Sequence, residues 1–283
     1  MHRARFASVL HQAIREAQHQ PMIVNNGDEL AKVLSVCWLK PGEADQLKQL
    51  PFPLSLPFSQ TYPLCCMDIR SLVEQYYSFS SGMTQYHQDI DLILTHSLDD
   101  LLIQQISINI RDTVEESTNL SQIAQIIVNI EHFQLACSEL ERWLSESRTP
   151  NPGSRLALGA SEHLSTTLEI AQKRIDSAMF VKLDQFLDLL EYDWMPIQSA
   201  SMQRQPSSYL RDLIDWLSTM MESALVLLPK VAKAATFTSC FMHISNRLLN
   251  SALLDRQVKM INLAALTNLD VDITFVYQYA KSL

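Results

Sequence analysis

Apolar side chains recur at steps of three and four residues through most of this chain, the signature of helices that bury one face. The longest run is Arg155 to Tyr192, where Leu164, Leu168, Ala171, Ile175, Met179, Leu183, Phe186 and Leu190 form one stripe uninterrupted by proline. It lies between two breakers, Thr149-Pro150-Asn151-Pro152-Gly153 and Asp193-Trp194-Met195-Pro196. The spacing predicts one helix roughly 57 Å long at about 1.5 Å per residue. A helix longer than a small domain needs packing partners at both ends. The chain therefore reads as all-α, an elongated rod of two stacked helical-bundle subdomains: residues 1–150, and residues 151–283 beginning with the long helix 155–192.

In the first subdomain, Phe6, Val9, Leu10, Ala13, Ile14 and Ala17 predict a short helix ending at Gln20-Pro21. The chain then reads as loop-rich up to about 62. MIVNNGDEL can begin extended, Asp28 can cap a helix through Leu39, and the prolines at 41, 51, 53 and 57 exclude a long regular element. Pro63 suits the first turn of a helix to about Phe79, with Ile69, Leu72, Val73, Tyr76 and Tyr77 on one side. A second helix, Tyr86 to about Glu116, carries Ile90, Ile93, Leu94, Leu98, Leu101 and Leu102. A third opens at the capping sequence Asn119-Leu120-Ser121-Gln122 and runs to about Ser145 through Ile123, Ile126, Ile127, Ile130, Phe133, Ala136, Cys137 and Leu140.

After the long helix, residues 198–207 read as a polar loop. Ser207 or Ser208 caps a helix that carries Leu210, Leu213, Ile214, Leu217, Met220, Met221 and Leu225 to Pro229. Lys230 to Leu254 predicts the next helix, Val258 to Thr267 a short one, and Asp270 the cap of a last one with Ile273, Val276 and Tyr277.

Composition supports an all-helical reading, because five glycines in 283 residues are few for a chain of strands and tight turns. A net charge of −9 argues against nucleic acid as a partner, since phosphate neutralisation needs clustered Lys and Arg. Residues 1–150 hold most of that charge, ten basic against 18 acidic side chains, which leaves the second half nearly neutral. Five cysteines without paired spacing point to reduced thiols in the cytosol, not to a disulfide framework or zinc cluster. The first residues lack the apolar core of a signal peptide, and no run approaches the ~18 apolar residues of a membrane span.

Catalytic patterns are missing. Glu16 to His19 is a lone Glu-x-x-His where a di-metal bundle needs paired motifs, so no metal or other cofactor is expected. Glu131-His132 and Glu162-His163 cannot converge on one ion, because adjacent helical residues point about 100° apart. Gly159-Ala160-Ser161 lies in a predicted helix without a following glycine, which excludes a nucleophile elbow, and no Gly-rich phosphate loop exists. Cys65-Cys66, Met220-Met221 and Tyr76-Tyr77 read as core filler. An interaction protein is expected, not an enzyme.

The most suggestive surface is on Lys230 to Leu254. Val231, Ala234, Phe237, Cys240, Phe241, Ile244 and Leu248 are the expected core face, while Thr236, Ser239, His243, Asn246 and Asn250 form a polar, uncharged stripe beside Arg247. A solvated face usually carries Lys and Glu, whereas interface centres are depleted in charge.

LPFSQTYPLCCMDIRSLVEQYYSF (residues 56–79), QPMIVNNGDELAKVLSVCW (20–38), FLDLLEYDWMP (186–196), SSYLRDLIDWL (207–217) and VKMINLAALTNLDVD (258–272) together resemble the carboxy-terminal half of the exocyst subunit of the Sec-fifteen type. The resemblance spans most of the chain in order. It implies a rod of two helical subdomains and a place in the complex that tethers secretory vesicles to the plasma membrane in exocytosis. It also implies a carboxy-terminal region that binds a GTP-form Rab-family small GTPase, other exocyst subunits as partners, and a cytoplasmic location peripheral to sites of polarised secretion, with only indirect membrane contact. Full-length members are longer, so the chain is expected to be a fragment or truncated product without the amino-terminal coiled region. Phe237, Phe241, His243, Asn246 and Asn250 are the expected Rab contacts. The competing expectation is a helical scaffold subunit of another tethering complex that binds no Rab.

Overall fold

The computed structural model describes residue 14 and residues 19–80, 87–146, 157–189, 193–196, 205–250 and 260–282. The predicted first helix, apart from the fully buried Ile14, lies outside them, as do most of the polar loop 198–207, Leu190, Val258 and the side chain of Ile90. In order the chain forms β1 (Pro21–Val24), α1 (Gly27–Val36), α2 (Glu43–Lys48), β2 (Leu54–Ser59), α3 (Thr61–Ser80) and α4 (His87–Asp100). A π-helical stretch, Leu101–Ser107, joins α4 to α5 (Ile108–Glu116). Then come α6 (Leu120–Glu146), α7 (Ala160–Leu187), α8 (Ser208–Glu222), α9 (Lys230–Leu249) and α10 (Leu263–Ser282). The fold is all-α with one small two-stranded sheet. It divides into two compact units, residues 1–174 and 175–283, the division falling within α7.

The first unit is built around α6. Ile123, Ile126, Ile127, Ile130, Phe133, Ala136, Cys137 and Leu140 are all buried, as their spacing predicts. Asn119 caps the helix, its Oδ1 accepting from Ser121 N at 3.0 Å and Gln122 N at 3.4 Å. Gln122 does not complete the capping box; its Oε1 accepts instead from Ser117 Oγ. α3 packs against α4 and α6. Its Cys65 and Cys66 are both fully buried.

β2 corrects the loop expectation for this region. The strands pair antiparallel with Pro21 opposite Ser59, Ile23 opposite Ser55 and Val24 opposite Leu54. Between the first two pairs, Leu56, Pro57 and Phe58 face the single residue Met22, so Pro57 sits in a bulge where its missing N–H breaks no ladder bond. Its carbonyl is then free to accept from Gln125 Nε2 of α6 at 2.9 Å. Beside it Asn129 binds Ser59 twice, taking its N–H at 3.0 Å and giving Nδ2–H to its Oγ at 2.7 Å. Asn26, not Asp28, caps α1: its Oδ1 accepts from Glu29 N at 2.9 Å, and Glu29 Oε2 accepts from Asn25 N at 2.8 Å.

α7 begins at Ala160, five residues later than its periodicity predicts, because a distant carboxylate takes the amides that open it. Asp99 accepts from Gly159 N at 3.2 Å and Ala160 N at 3.1 Å, and Glu141 Oε1 accepts from Leu158 N at 2.7 Å. A carboxylate at a helix start also complements the helix dipole.

Asp68 on α3 yields a pH prediction. Burial raises its carboxyl from the ordinary 3.8 to about 6. The folded chain therefore holds a proton that the unfolded chain has released, and stability falls as pH rises through that window. The full shift would correspond to ~3 kcal/mol, which solvent screening of a partly exposed side chain reduces to about 1. Asp68→Asn is expected to stabilise the chain by about 1 kcal/mol near pH 7.5 and to be nearly neutral near pH 4, read from urea denaturation. An equal effect at both pH values would refute burial as the cause.

In the second unit, α8 buries Leu210, Leu213, Ile214, Leu217 and Met221. It stops at Glu222, and turns that still bury Leu225 and Leu228 carry the chain to Pro229. The expected short helix and Asp270-capped helix are instead one element, α10. Asn262 caps it, Oδ1 accepting from Ala265 N at 2.9 Å, while its own N–H and Nδ2–H reach Trp194 O and Pro196 O. Asp270 is an exposed mid-helix residue. The buried acid is Asp272, which binds Ser207 and Tyr209 at the start of α8.

Candidate partner-binding site

α9 presents three faces. The inward one is Thr236, Cys240, Ile244 and Leu248, a strict four-residue spacing with every side chain buried. This corrects the expected core face: Val231 is 84 % exposed, Ala234 is exposed, and Phe237 and Phe241 are only half-buried. Thr236 can occupy the core because its hydroxyl donates to Ala232 O at 3.1 Å, leaving its methyl to pack.

The second face meets the carboxy-terminal part of α7. His243 Nε2 lies 2.8 Å from Asp184 Oδ1, and the imidazole stacks on Phe180 with centroids 4.3 Å apart. Arg247 pairs with Asp184 at 3.0 Å and also with Asp188. His243 and Arg247 thus answer acidic side chains of their own unit.

The third face lines a groove of about 820 Å³ with α8 and α10. Phe237 and Phe241 stack with centroids 6.4 Å apart, and Phe241 lies 6.1 Å from the Tyr279 ring. Tyr279 is in turn held by a hydrogen bond between its hydroxyl and Ser218 Oγ. Met242 is 61 % exposed on the rim, and Lys230, Lys233 and Glu222 supply charge there. On the other side of Phe241 a second groove of about 310 Å³ opens between α9 and α10, bordered by Leu249, Ile273 and Tyr277.

Of the five residues the sequence singles out, Phe237, Phe241 and Asn246 line the larger groove. His243 points to α7, and Asn250 is exposed at the end of α9, in neither groove. The sequence reading missed Met242, Lys230 and Tyr279. For Lys230 and Met242 the signal is positional: 230, 234, 237, 241 and 245 follow one another at helical spacing, and Met242 is adjacent to that line; Tyr279 reaches the groove from another helix and has no such signal.

Nothing in these grooves resembles a reaction centre. Among the described residues no group of three or more His, Cys, Asp or Glu is arranged to hold a metal ion. Burial raises Cys65 and pushes Cys137 and Cys240 up to about 12, so these thiols stay protonated. No helix among the described residues is long and apolar enough to cross a membrane.

Fold and surface together define an all-helical domain whose most developed features are apolar grooves between helices. The chain belongs to the family described as Exocyst complex subunit Sec15 C-terminal, whose model matches residues 1–283. It is 25 % identical over 269 residues to the exocyst complex component SEC15 of Saccharomyces cerevisiae, covering 93 % of this chain and 29 % of that one. Exocyst complex component 6B of Mus musculus is 25 % identical over 281 residues, covering 98 % of this chain and 34 % of that one. Exocyst complex component 6 of Drosophila melanogaster is 24 % identical over 279 residues, with 98 % and 35 % covered. The chain spans about a third of the length of these relatives. A crystal structure of a Sec15 C-terminal domain shares its fold, with a TM-score of 0.63 at 20 % identity over 99 % of this chain and 84 % of that one.

Proposed function

We propose that the chain acts within the exocyst, alongside other exocyst subunits, in tethering secretory vesicles before fusion, and that its second unit binds a Rab-family GTPase in its GTP form. Membership of the Sec15 family supports the first part. The observation that carries the second is the larger groove, where half-buried Phe237 and Phe241 and the exposed Met242 offer adaptable apolar surface beside uncharged Asn246. A Rab's switch regions are ordered by the nucleotide's γ-phosphate, so a partner that needs the ordered apolar surface discriminates between nucleotide states. The protein acts at the cytoplasmic periphery of secretion sites, and the vesicle membrane is reached through the GTPase.

Titrating the chain with GTP-locked and GDP-locked Rab proteins tests this reading. The GTP form is expected to bind at least about tenfold more tightly. Phe241→Ala is expected to weaken it about tenfold or more, as for an aromatic anchor, and Asn246→Ala a few-fold. Equal binding to both nucleotide forms would refute the Rab reading and leave a scaffold role.

A further inference from the structure

α10 has two apolar faces, and among the described residues one is buried while the other is about half exposed or more. Ala265, Leu269, Asp272 and Val276 are buried. Leu263, Leu266, Asp270, Ile273, Tyr277 and Ala280 follow one another at three, four, three, four and three residues on the other side. That is the heptad spacing of a coiled-coil seam. Along it Leu263 is 69 %, Leu266 46 %, Ile273 49 % and Tyr277 62 % exposed. Single exposed apolar residues are ordinary, but four in register on one helix form a strip, interrupted at its centre by Asp270. The 310 Å³ groove flanks that strip, with Leu249 on its far wall, and supplies the hollow into which side chains of a second helix would fit.

We propose that this seam docks an amphipathic helix of another protein, one with aliphatic residues at heptad spacing and a Lys or Arg opposite Asp270. Asp270 decides the occupant. It is exposed and makes no ion pair among the described residues. A second copy of the chain is a poor fit. Parallel pairing in register sets Asp270 against Asp270, and antiparallel pairing with full overlap sets each Asp270 against Ile273 of the copy, two carboxylates about one turn apart with no cation to meet either. Shifting the register to separate them leaves much of the strip uncovered. A partner cation at that layer satisfies the acid and fixes register and direction, the best-attested role for a polar group in an apolar seam. This docking does not presuppose the Rab reading, and Phe241, Ser245 and Ala280 line both grooves.

The test uses two synthetic helical peptides of about 21 residues with leucine at the a and d positions, one with lysine and one with glutamate at a central a position. Each is titrated by fluorescence anisotropy against the full chain and its Asp270→Lys and Ile273→Glu variants. The lysine peptide is expected to bind the native chain at least about tenfold more tightly than the glutamate peptide. Asp270→Lys is expected to reverse that order, and Ile273→Glu to weaken both peptides about tenfold with unchanged circular dichroism. Equal binding of the two peptides, absence of binding, or indifference to Ile273→Glu would overturn the proposal. So would a dimer of the chain alone that Ile273→Glu dissociates, which assigns the seam to a second copy. Loss of GTP-dependent Rab binding in Ile273→Glu would assign it to the GTPase and overturn it equally.

Discussion

Replacing Asp272 with alanine is expected to destabilise the second unit by about 3–5 kcal/mol, because three donors lose a shared acceptor at about 1–3 kcal/mol each. The carboxylate is fully buried on α10. Its Oδ1 accepts from Ser207 N at 2.7 Å, and its Oδ2 from Ser207 Oγ at 2.6 Å and Tyr209 OH at 3.3 Å. Ser207 stands at the N-cap of α8 but makes no side-chain cap bond there, since its hydroxyl is committed to Asp272. One carboxylate thus holds the N-cap residue by its N–H and its hydroxyl and ties together two helices through residues 65 apart. Alanine would strand those donors away from water and open a cavity. Asp272→Asn keeps the shape but turns an acceptor oxygen into a donor, and should cost about 2 kcal/mol. Urea denaturation followed by Trp216 fluorescence reads both variants. An alanine variant within about 1 kcal/mol of the native chain would show that the network is not what fixes α8 against α10.

Tyr62→Ala is expected to cost the first unit about 3–5 kcal/mol, and Tyr62→Phe about 1–2. The side chain is fully buried at the start of α3, among the rings of Phe58, His132 and Phe133 at 5.1, 5.3 and 5.1 Å. Its hydroxyl donates to Trp38 O at 2.6 Å, with His132 O at 3.2 Å. Burial first, then the neighbouring Cys66 and Cys37, push the phenol well above its ordinary value, so it stays a donor. Trp38 is also gripped from outside: the Arg70 guanidinium lies 4.2 Å over its ring and donates to Val36 O at 2.7 Å. Removing Tyr62 therefore frees the segment after α1 as well as opening a cavity. Amide hydrogen exchange should show lost protection in residues 34–40 in Tyr62→Ala and nearly native protection in Tyr62→Phe. Native protection in the alanine variant would contradict this account.

The helices of both units were legible because their periodicity is strong: every α6 position picked from spacing is buried. What escaped the reading was set by residues far away in sequence. The start of α7 depends on Asp99, about 60 positions earlier, and no local signal at Arg155 reveals that. β2 was hidden by its proline, since the bulge that accommodates Pro57 exists only once β1 is beside it. Asp270 looks like a helix cap by position, whereas the acid with structural work is Asp272, two residues on and turned inward. On α9 the aromatic residues suggested a core face, and the larger groove exists because that face is only half-covered. The site was legible as a helix and only partly as a surface: Phe237, Phe241 and Asn246 fall together, while Asp184 draws His243 elsewhere.

The widened turn between α4 and α5 constrains how this chain can change. Leu94, Leu98, Leu102, Ile106, Ile110 and Val114 are buried at an unbroken step of four. An ordinary helix of 3.6 residues per turn would swing that line aside by about 40° at each step, roughly half a revolution over its length. The looser winding at Leu101–Ser107 takes up the drift. Side chains on this rod can therefore be exchanged for others of similar bulk. Dropping one position from the ordinary turns on either side would rotate the next segment by about 100°, carrying Arg111 or its neighbours toward the interior. Dropping one within Leu101–Ser107 would instead let the coil close to ordinary winding, and the tighter turn would make up most of the lost rotation. Along this stretch the widened turn is where divergence by one residue in length is tolerated.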